Sequence, residues 1–119
     1  MADELHESNR ENALFCANIL DAKKAEDVSI LDISTLCTFT DLFVIASGNN
    51  KPQIQMLSDE VQEKMHAKGI SLKQIEGYDA ANWILMDFGD IIVHIFDKQS
   101  REFYDLERIW SDADRIELE

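Results

Sequence analysis

Apolar positions recur along this chain with two periods, and the changes of period mark its elements. Over residues 4–24, Ala13, Cys16, Ala17 and Leu20 fall at helical spacing with Phe15, Ile19 and Ala22 beside them. That stripe is wide enough to pack against a sheet. Residues 28–33 have the composition of a strand, and residues 35–40, TLCTFT, fit either a turn or a short helix. Residues 42–47, LFVIAS, form a near-continuous apolar run, as a central strand covered on both faces requires. Asn50 suits an N-cap and Pro52 an early helical position. Ile54, Leu57, Val61 and Met65 then draw the core face of a helix to about Ala67, which Gly69 ends. Residues 70–75 read as a short strand carrying Ile70, Leu72 and Ile75.

The stretch NWILMDFGDIIVHIF, residues 82–96, reads as a hairpin. A two-residue turn at Phe88-Gly89 would set Asp87 opposite Asp90, Leu85 opposite Ile92 and Trp83 opposite His94. Strand side chains alternate between faces. One face then holds Ile84, Met86, Ile91, Val93 and Ile95, purely aliphatic; the other mixes Trp83, Leu85, Asp87, Asp90, Ile92, His94 and Phe96. The mixed face is either a second, partly covered core or a surface for a partner. Residues 98–110 look helical, with Phe103, Leu106 and Trp110 as the core stripe. Residues 111–119 form an acidic tail, in which Ile116 and Leu118 offer last contacts. The order α-β-β-α-β-β-β-α predicts an α/β (mixed α+β) domain spanning residues 1–119. Its five-stranded mixed sheet is flanked by helices, with a parallel pair across the helix between strands two and three.

Charge is the loudest compositional signal: 24 acidic against 11 basic residues, a formal net charge of −13. Free nucleic acid and anionic membrane are repelled by such a chain, while a basic protein partner is steered towards it. No apolar run approaches the roughly 20 residues that span a bilayer. The opening MADELHESNRENALF lacks the features of a signal or transit peptide, which predicts a cytoplasmic protein. Cys16 and Cys37 stand apart without CxxC spacing and read as reduced structural thiols.

Catalytic patterns are weak. SGNNKPQ has neither a P-loop nor a GxGxxG, and its strand–Gly–helix junction could hold an anion on free amides, although most such junctions are only caps. A nucleotidyltransferase needs converging carboxylates for its metals. Here Asp87 and Asp90 flank a turn, and Asp112 and Asp114 lie in the tail. His6, His66 and His94 have no metal-ligand spacing, and His94 reads as packed or interfacial rather than as a general base. These patterns leave an enzyme open but unsupported, with no cofactor and no metal site in view. Two features survive: the mixed hairpin face, and REFYDLERIW at residues 101–110, rich in the Trp, Tyr and Arg of binding hot spots.

Three blocks, DLFVIASGNNKPQ, EGYDAANWILMDFGDIIVHIF and REFYDLERIW, together resemble the ribosomal silencing factor (RsfS, or Iojap) family over residues 25–113. Asp41, Gly48, Gln53, Glu76, Gly77, Trp83, Asp87, His94, Arg101, Tyr104 and Trp110 are among the residues that carry the likeness. The chain departs from the family pattern with Leu42 where Tyr is frequent, Asn50 where Ser is common and Ile109 for Leu. The resemblance implies a nucleotidyltransferase-like fold without its catalytic carboxylates. It also implies binding to the large ribosomal subunit through its ribosomal protein number fourteen. There the protein obstructs joining with the small subunit and represses translation when nutrients are short. Mitochondrial relatives act in large-subunit assembly, and family members tend to form homodimers off the ribosome. Combined with the mixed face, this points to Trp83, Leu85, Asp87, His94, Phe96, Tyr104, Glu107 and Arg108 as the docking residues, with Trp110 in reserve. The rival readings are a nucleotide-handling enzyme on the same fold and a dimeric adaptor without a ribosomal role.

Overall fold

Every residue of the strand Leu42–Gly48 is buried, so the sheet must be covered on both sides of it. The structure, a computed structural model, describes residues 2–118. Its elements are α1 (Ala2–Ala22), β1 (Glu26–Asp32), β2 (Leu42–Gly48), α2 (Lys51–Ala67), β3 (Gln74–Glu76), β4 (Trp83–Asp87), β5 (Ile91–Asp97), α3 (Lys98–Tyr104), α4 (Leu106–Ile109) and β6 (Asp114–Ile116). The strands form one mixed sheet in the order β3-β4-β5-β2-β1-β6, in which only β2 and β5 pair in parallel.

The alternation of β2 distributes its side chains between two cores. Leu42, Val44 and Ala46 join Ile30, Ile84, Met86, Val93 and Ile95 beneath α1 and α2, which contribute Ala13, Cys16, Ala17 and Leu20, and Ile54, Leu57, Val61 and Met65. Phe43 and Ile45 join Leu31, Ile33 and Phe96 on the opposite face, where Trp83, Leu106 and Trp110 pack over them. Helix α2 starts as its sequence dictates: the Asn50 side chain accepts from the Gln53 amide at 2.9 Å, and Pro52 occupies the first turn. Burial pushes the Cys16 thiol up to about 12, so it stays protonated.

The class expected from sequence holds, and its details change. The sheet has six strands rather than five, because the expected tail folds back as β6, with Ile116 beside Ile30 and buried against the first core. Glu119, the last residue of that tail, lies outside the described residues. The parallel partner of β2 is β5, while β3 lies at the far edge, so α2 carries the chain across two intervening strands. Only Gln74–Glu76 forms a ladder; Ile70 and Leu72 pack on the first core without one. Residues 35–40 are turns, opened by Leu36 and Cys37 amides on the Ile33 carbonyl.

The hairpin register is shifted. Trp83 pairs with Phe96, Leu85 with His94 and Asp87 with Ile92. The turn is Gly89-Asp90 rather than Phe88-Gly89, because Phe88 continues the aliphatic face and is buried, leaving Gly89 to adopt φ 94°. A slip of two residues leaves every side chain on its expected face. The last helix is the larger correction. It breaks at Asp105, which takes φ 48° and ψ 57°, a left-handed conformation that Asp tolerates better than most residues. The break turns Phe103 out of its expected core position to 79% exposure, while Leu106 and Trp110 still reach the second core.

A polar clamp ties α1 to the sheet. The His6 ring donates towards Asp32 Oδ2 at 2.9 Å through Nε2 and towards Asp41 Oδ2 at 3.2 Å through Nδ1. Only the imidazolium can donate on both sides. The hydrogen bond to Asp41 is the main cause that raises the His6 pKa above 6.5, against the opposing effect of burial. For Asp32, burial works to raise the pKa, but the Ser34 hydrogen bonds and His6 outweigh it and lower it. A raised histidine pKa stabilises the fold fully below the unfolded value, and that contribution is lost as pH rises through the folded value. The Tm advantage of the wild type over His6→Gln should therefore be largest near pH ~5.5 and shrink by about pH 9, as a thermal melt series would show. A second expectation concerns the turn before β4. Gly77 has φ 79°, and a Cβ there would lie 2.1 Å from the Trp83 carbonyl oxygen. Gly77→Ala should cost about 2 kcal/mol or more in urea unfolding.

Candidate docking surface

Pairing Trp83 with Phe96 at the β4–β5 ladder places two large rings side by side, and the second core grows from that contact. Trp83 stacks on Phe96 with centroids 5.0 Å apart and meets Tyr104 of α3 at 4.6 Å. Its indole Nε1–H donates to His94 Nδ1 at 3.0 Å. His94 packs edge-on against Phe43 at 4.6 Å, and Phe43 against Trp110 at 5.5 Å. An aromatic row thus runs from Trp110 through Phe43, His94, Trp83 and Tyr104 to Phe103, which meets Tyr104 at 5.1 Å. Edge-to-face and offset ring pairs contribute roughly 0.5–1.5 kcal/mol each beyond area burial.

Burial divides the expected docking residues. His94 is 3% exposed and Phe96 is fully buried, so neither reaches the surface; both form the floor on which Trp83 and Tyr104 rest. Burial pushes the His94 pKa down to about 3, so the ring is neutral. With Nδ1 accepting from Trp83, the proton sits on Nε2, which has no partner. Glu107 also turns inward: it accepts from Arg101 Nε at 3.1 Å and from the Ser29 hydroxyl at 3.5 Å, and faces Arg115 at 3.6 Å. Asp87 caps the hairpin turn, accepting from the Gly89 amide at 2.7 Å. Trp83 and Leu85 are half-buried, Tyr104 is 44% exposed and Arg108 is exposed. Two exposed residues lie outside the expected docking set: Phe103, expected in the core, and Ile109, 67% exposed. A straight helical projection cannot find them, because the rotation at Asp105 decides which way they face.

Arg101 holds this lid to the sheet. Its guanidinium donates to Ser47 Oγ at 2.9 Å and to the Glu26 carbonyl at 3.5 Å, besides Glu107. A crevice of about 700 Å³ lies beside it at the carboxyl ends of β2 and β5, lined by Asp27, Ser47, Lys98, Arg101 and Asp105 among others. Ligands of open α/β sheets favour that position. Here, however, the cations are matched by the cleft's own acids: Lys98 lies 2.6 Å from Glu26, and both arginines meet Glu107. The neighbouring strand–helix junction is equally self-satisfied, since the Asn49 amide donates to Gln53 Oε1 at 2.6 Å and the Gln53 amide to Asn50. Among the described residues, no group of three His, Cys, Asp or Glu could hold a metal ion. The exposed apolar groups of this face are Phe103, Tyr104 and Ile109.

Known proteins share both the sequence pattern and the fold of this chain. The family model described as "Ribosomal silencing factor during starvation" matches residues 6–119. A ribosomal silencing factor RsfS of Halalkalibacterium halodurans is 40% identical over 112 residues, covering 94% of this chain and 96% of that protein. One of Bacillus subtilis is 39% identical, covering 83% and 84%. A mouse protein named for mitochondrial assembly of the ribosomal large subunit is 32% identical, covering 79% of this chain and 42% of its own length. The crystal structure of a Chromobacterium violaceum protein superposes with a TM-score of 0.83 at 29% identity, covering 86% of this chain and 85% of that one. The chain belongs to the ribosomal silencing factor family.

Proposed function

We propose that this protein represses translation by docking on the large ribosomal subunit, through its ribosomal protein number fourteen, so that its body obstructs joining with the small subunit. It acts in the cytoplasm in this reading, and copies off the ribosome pair as homodimers. The observation that carries it is the ridge at the exposed end of the aromatic row: Phe103 is 79% and Tyr104 44% exposed, in contact at 5.1 Å and backed by the buried Phe96, with Ile109 67% exposed on the next helical turn. Large exposed apolar side chains gathered in one place mark interaction sites. Rings held by packing before binding lose little entropy on association. The names of the relatives, and of the mouse protein in particular, connect this fold with the ribosome and its large subunit. Obstruction requires a well-placed body and no reaction. Within the ridge, Trp83, Leu85, Tyr104, Phe103 and Ile109 make the contact, with Arg108 at the rim; Asp87, Glu107, His94 and Phe96 position them. The net charge of −13 suits a basic partner.

Co-sedimentation with purified large subunits tests this. Trp83→Ala with Tyr104→Ala should weaken binding by about 30-fold or more, or ~2 kcal/mol. Because Trp83 also supports the second core, the surface pair Phe103→Ala with Ile109→Ala serves as a fold-neutral variant. Undiminished binding by both folded pairs would remove the ridge from the interface. The charge argument has its own readout. Raising ionic strength from about 0.01 to 0.15 M shortens the Debye length from roughly 30 to 8 Å. Association measured by stopped flow should slow over that range, and a flat rate would rule out steering.

A further inference from the structure

The sheet face opposite the docking ridge carries a groove of a different character. Between α1 and α2 lies a depression of about 280 Å³, lined by Phe15, Asn18, Ile19, Ala22, Lys23 and Lys64. Its floor is apolar, with Ile19 almost fully buried and Phe15 half-buried. Its rim is cationic: among the described residues no acid lines it, and Lys68 Nζ sits 4.2 Å from the centroid of the Phe15 ring. Lys23 has Glu60 at 3.9 Å, the outer limit of an ion pair, and remains 43% exposed. Lysines around an apolar floor stand out on a chain with more than twice as many acids as bases.

We propose that this groove receives an acidic amphipathic helix of a protein partner, making the molecule a two-sided adaptor. A cleft between two helices admits a third through anchors at i, i+3, i+4 and i+7. The charge selects the flanks of that helix: carboxylates beside the apolar stripe meet Lys23, Lys64 and Lys68, and desolvated pairs of this kind set specificity. The net charge of −13 opposes such a partner at long range. Recognition is therefore confined to about one Debye length, ~8 Å, and shows in dissociation rather than association.

The probe is a fluorescein-labelled designed helix of about 20 residues, with a leucine stripe flanked by glutamates, titrated into the full chain at physiological salt. Two comparators carry glutamine in place of glutamate, or the same residues scrambled to destroy the stripe. The glutamate helix should bind at least about tenfold tighter than either. Lys23→Glu with Lys64→Glu, both at exposed positions, should abolish that preference, and the surface pair Phe103→Ala with Ile109→Ala should leave it intact, separating this site from the ribosomal ridge. Methyl resonances of Ile19 should shift on binding. Equal affinity for all three peptides, no binding, or a preference that survives the double lysine variant would overturn the proposal. So would a change in sedimentation of that variant showing that a second copy of the chain fills the groove.

Discussion

The parallel pairing of β2 with β5 is the constraint on which the rest of the structure depends. It runs in unbroken register from Leu42 opposite Ile91 to Gly48 opposite Asp97. It sets two strongly apolar strands at the middle of the sheet, so neither face can be left to water. Helices α1 and α2 cover the aliphatic side. The other side carries Phe43, Ile45 and Phe96, and apart from Cys37 of the β1–β2 connection it is the chain following β5, with Leu106, Trp110 and Ala113, that covers it. That segment is short, broken at Asp105 and incomplete as a lid, and the parts of it that do not fit beneath become the exposed ridge.

The second core is unusual in content. A neutral histidine sits among aromatic rings with one nitrogen satisfied by an indole and the other unpaired. An unmet buried donor costs about 1–3 kcal/mol, which the neighbouring ring contacts offset. What the arrangement provides is orientation. The Trp83 indole is held by a hydrogen bond to His94 and by ring contacts with Phe96 and Tyr104, which also neighbour each other at 6.4 Å, so its exposed edge is fixed before any partner arrives. Around the same lid, Arg101 and Glu107 join α3 and α4 to β1, β2 and the returning β6 strand. The ionic network and the aromatic row therefore do the same work from two ends: they hold a short, interrupted helical segment at one angle to the sheet.

The hairpin shows why a wrong register can still yield the right faces. Its turn lies one residue further on than a Phe-Gly reading suggests, since the aliphatic face gains more by burying Phe88 than by leaving it in a loop. Because side chains alternate with a period of two, the resulting two-residue slip moves partners without exchanging sides. Trp83, Leu85 and Tyr104 were thus legible as a set near the surface. His94 and Phe96 share that face but lie at its centre, and Glu107 belongs to a helical turn whose direction depends on Asp105. Depth within a face and the direction of a broken helix leave no periodic trace.

Local patterning along this chain determined the elements, the capped start of α2, the double coverage of β2 and the division of the hairpin into an aliphatic and a mixed face. These depend on contacts within a turn of helix or between adjacent strand positions, and such contacts are written in residue spacing. Tertiary structure alone decided that β2 pairs with β5, that the acidic end returns as a sixth strand, and that Phe103 faces water while Phe96 does not. Those outcomes arise when segments distant in sequence compete for the same buried surface. The result of that competition is fixed by the space that remains once the central strands have paired.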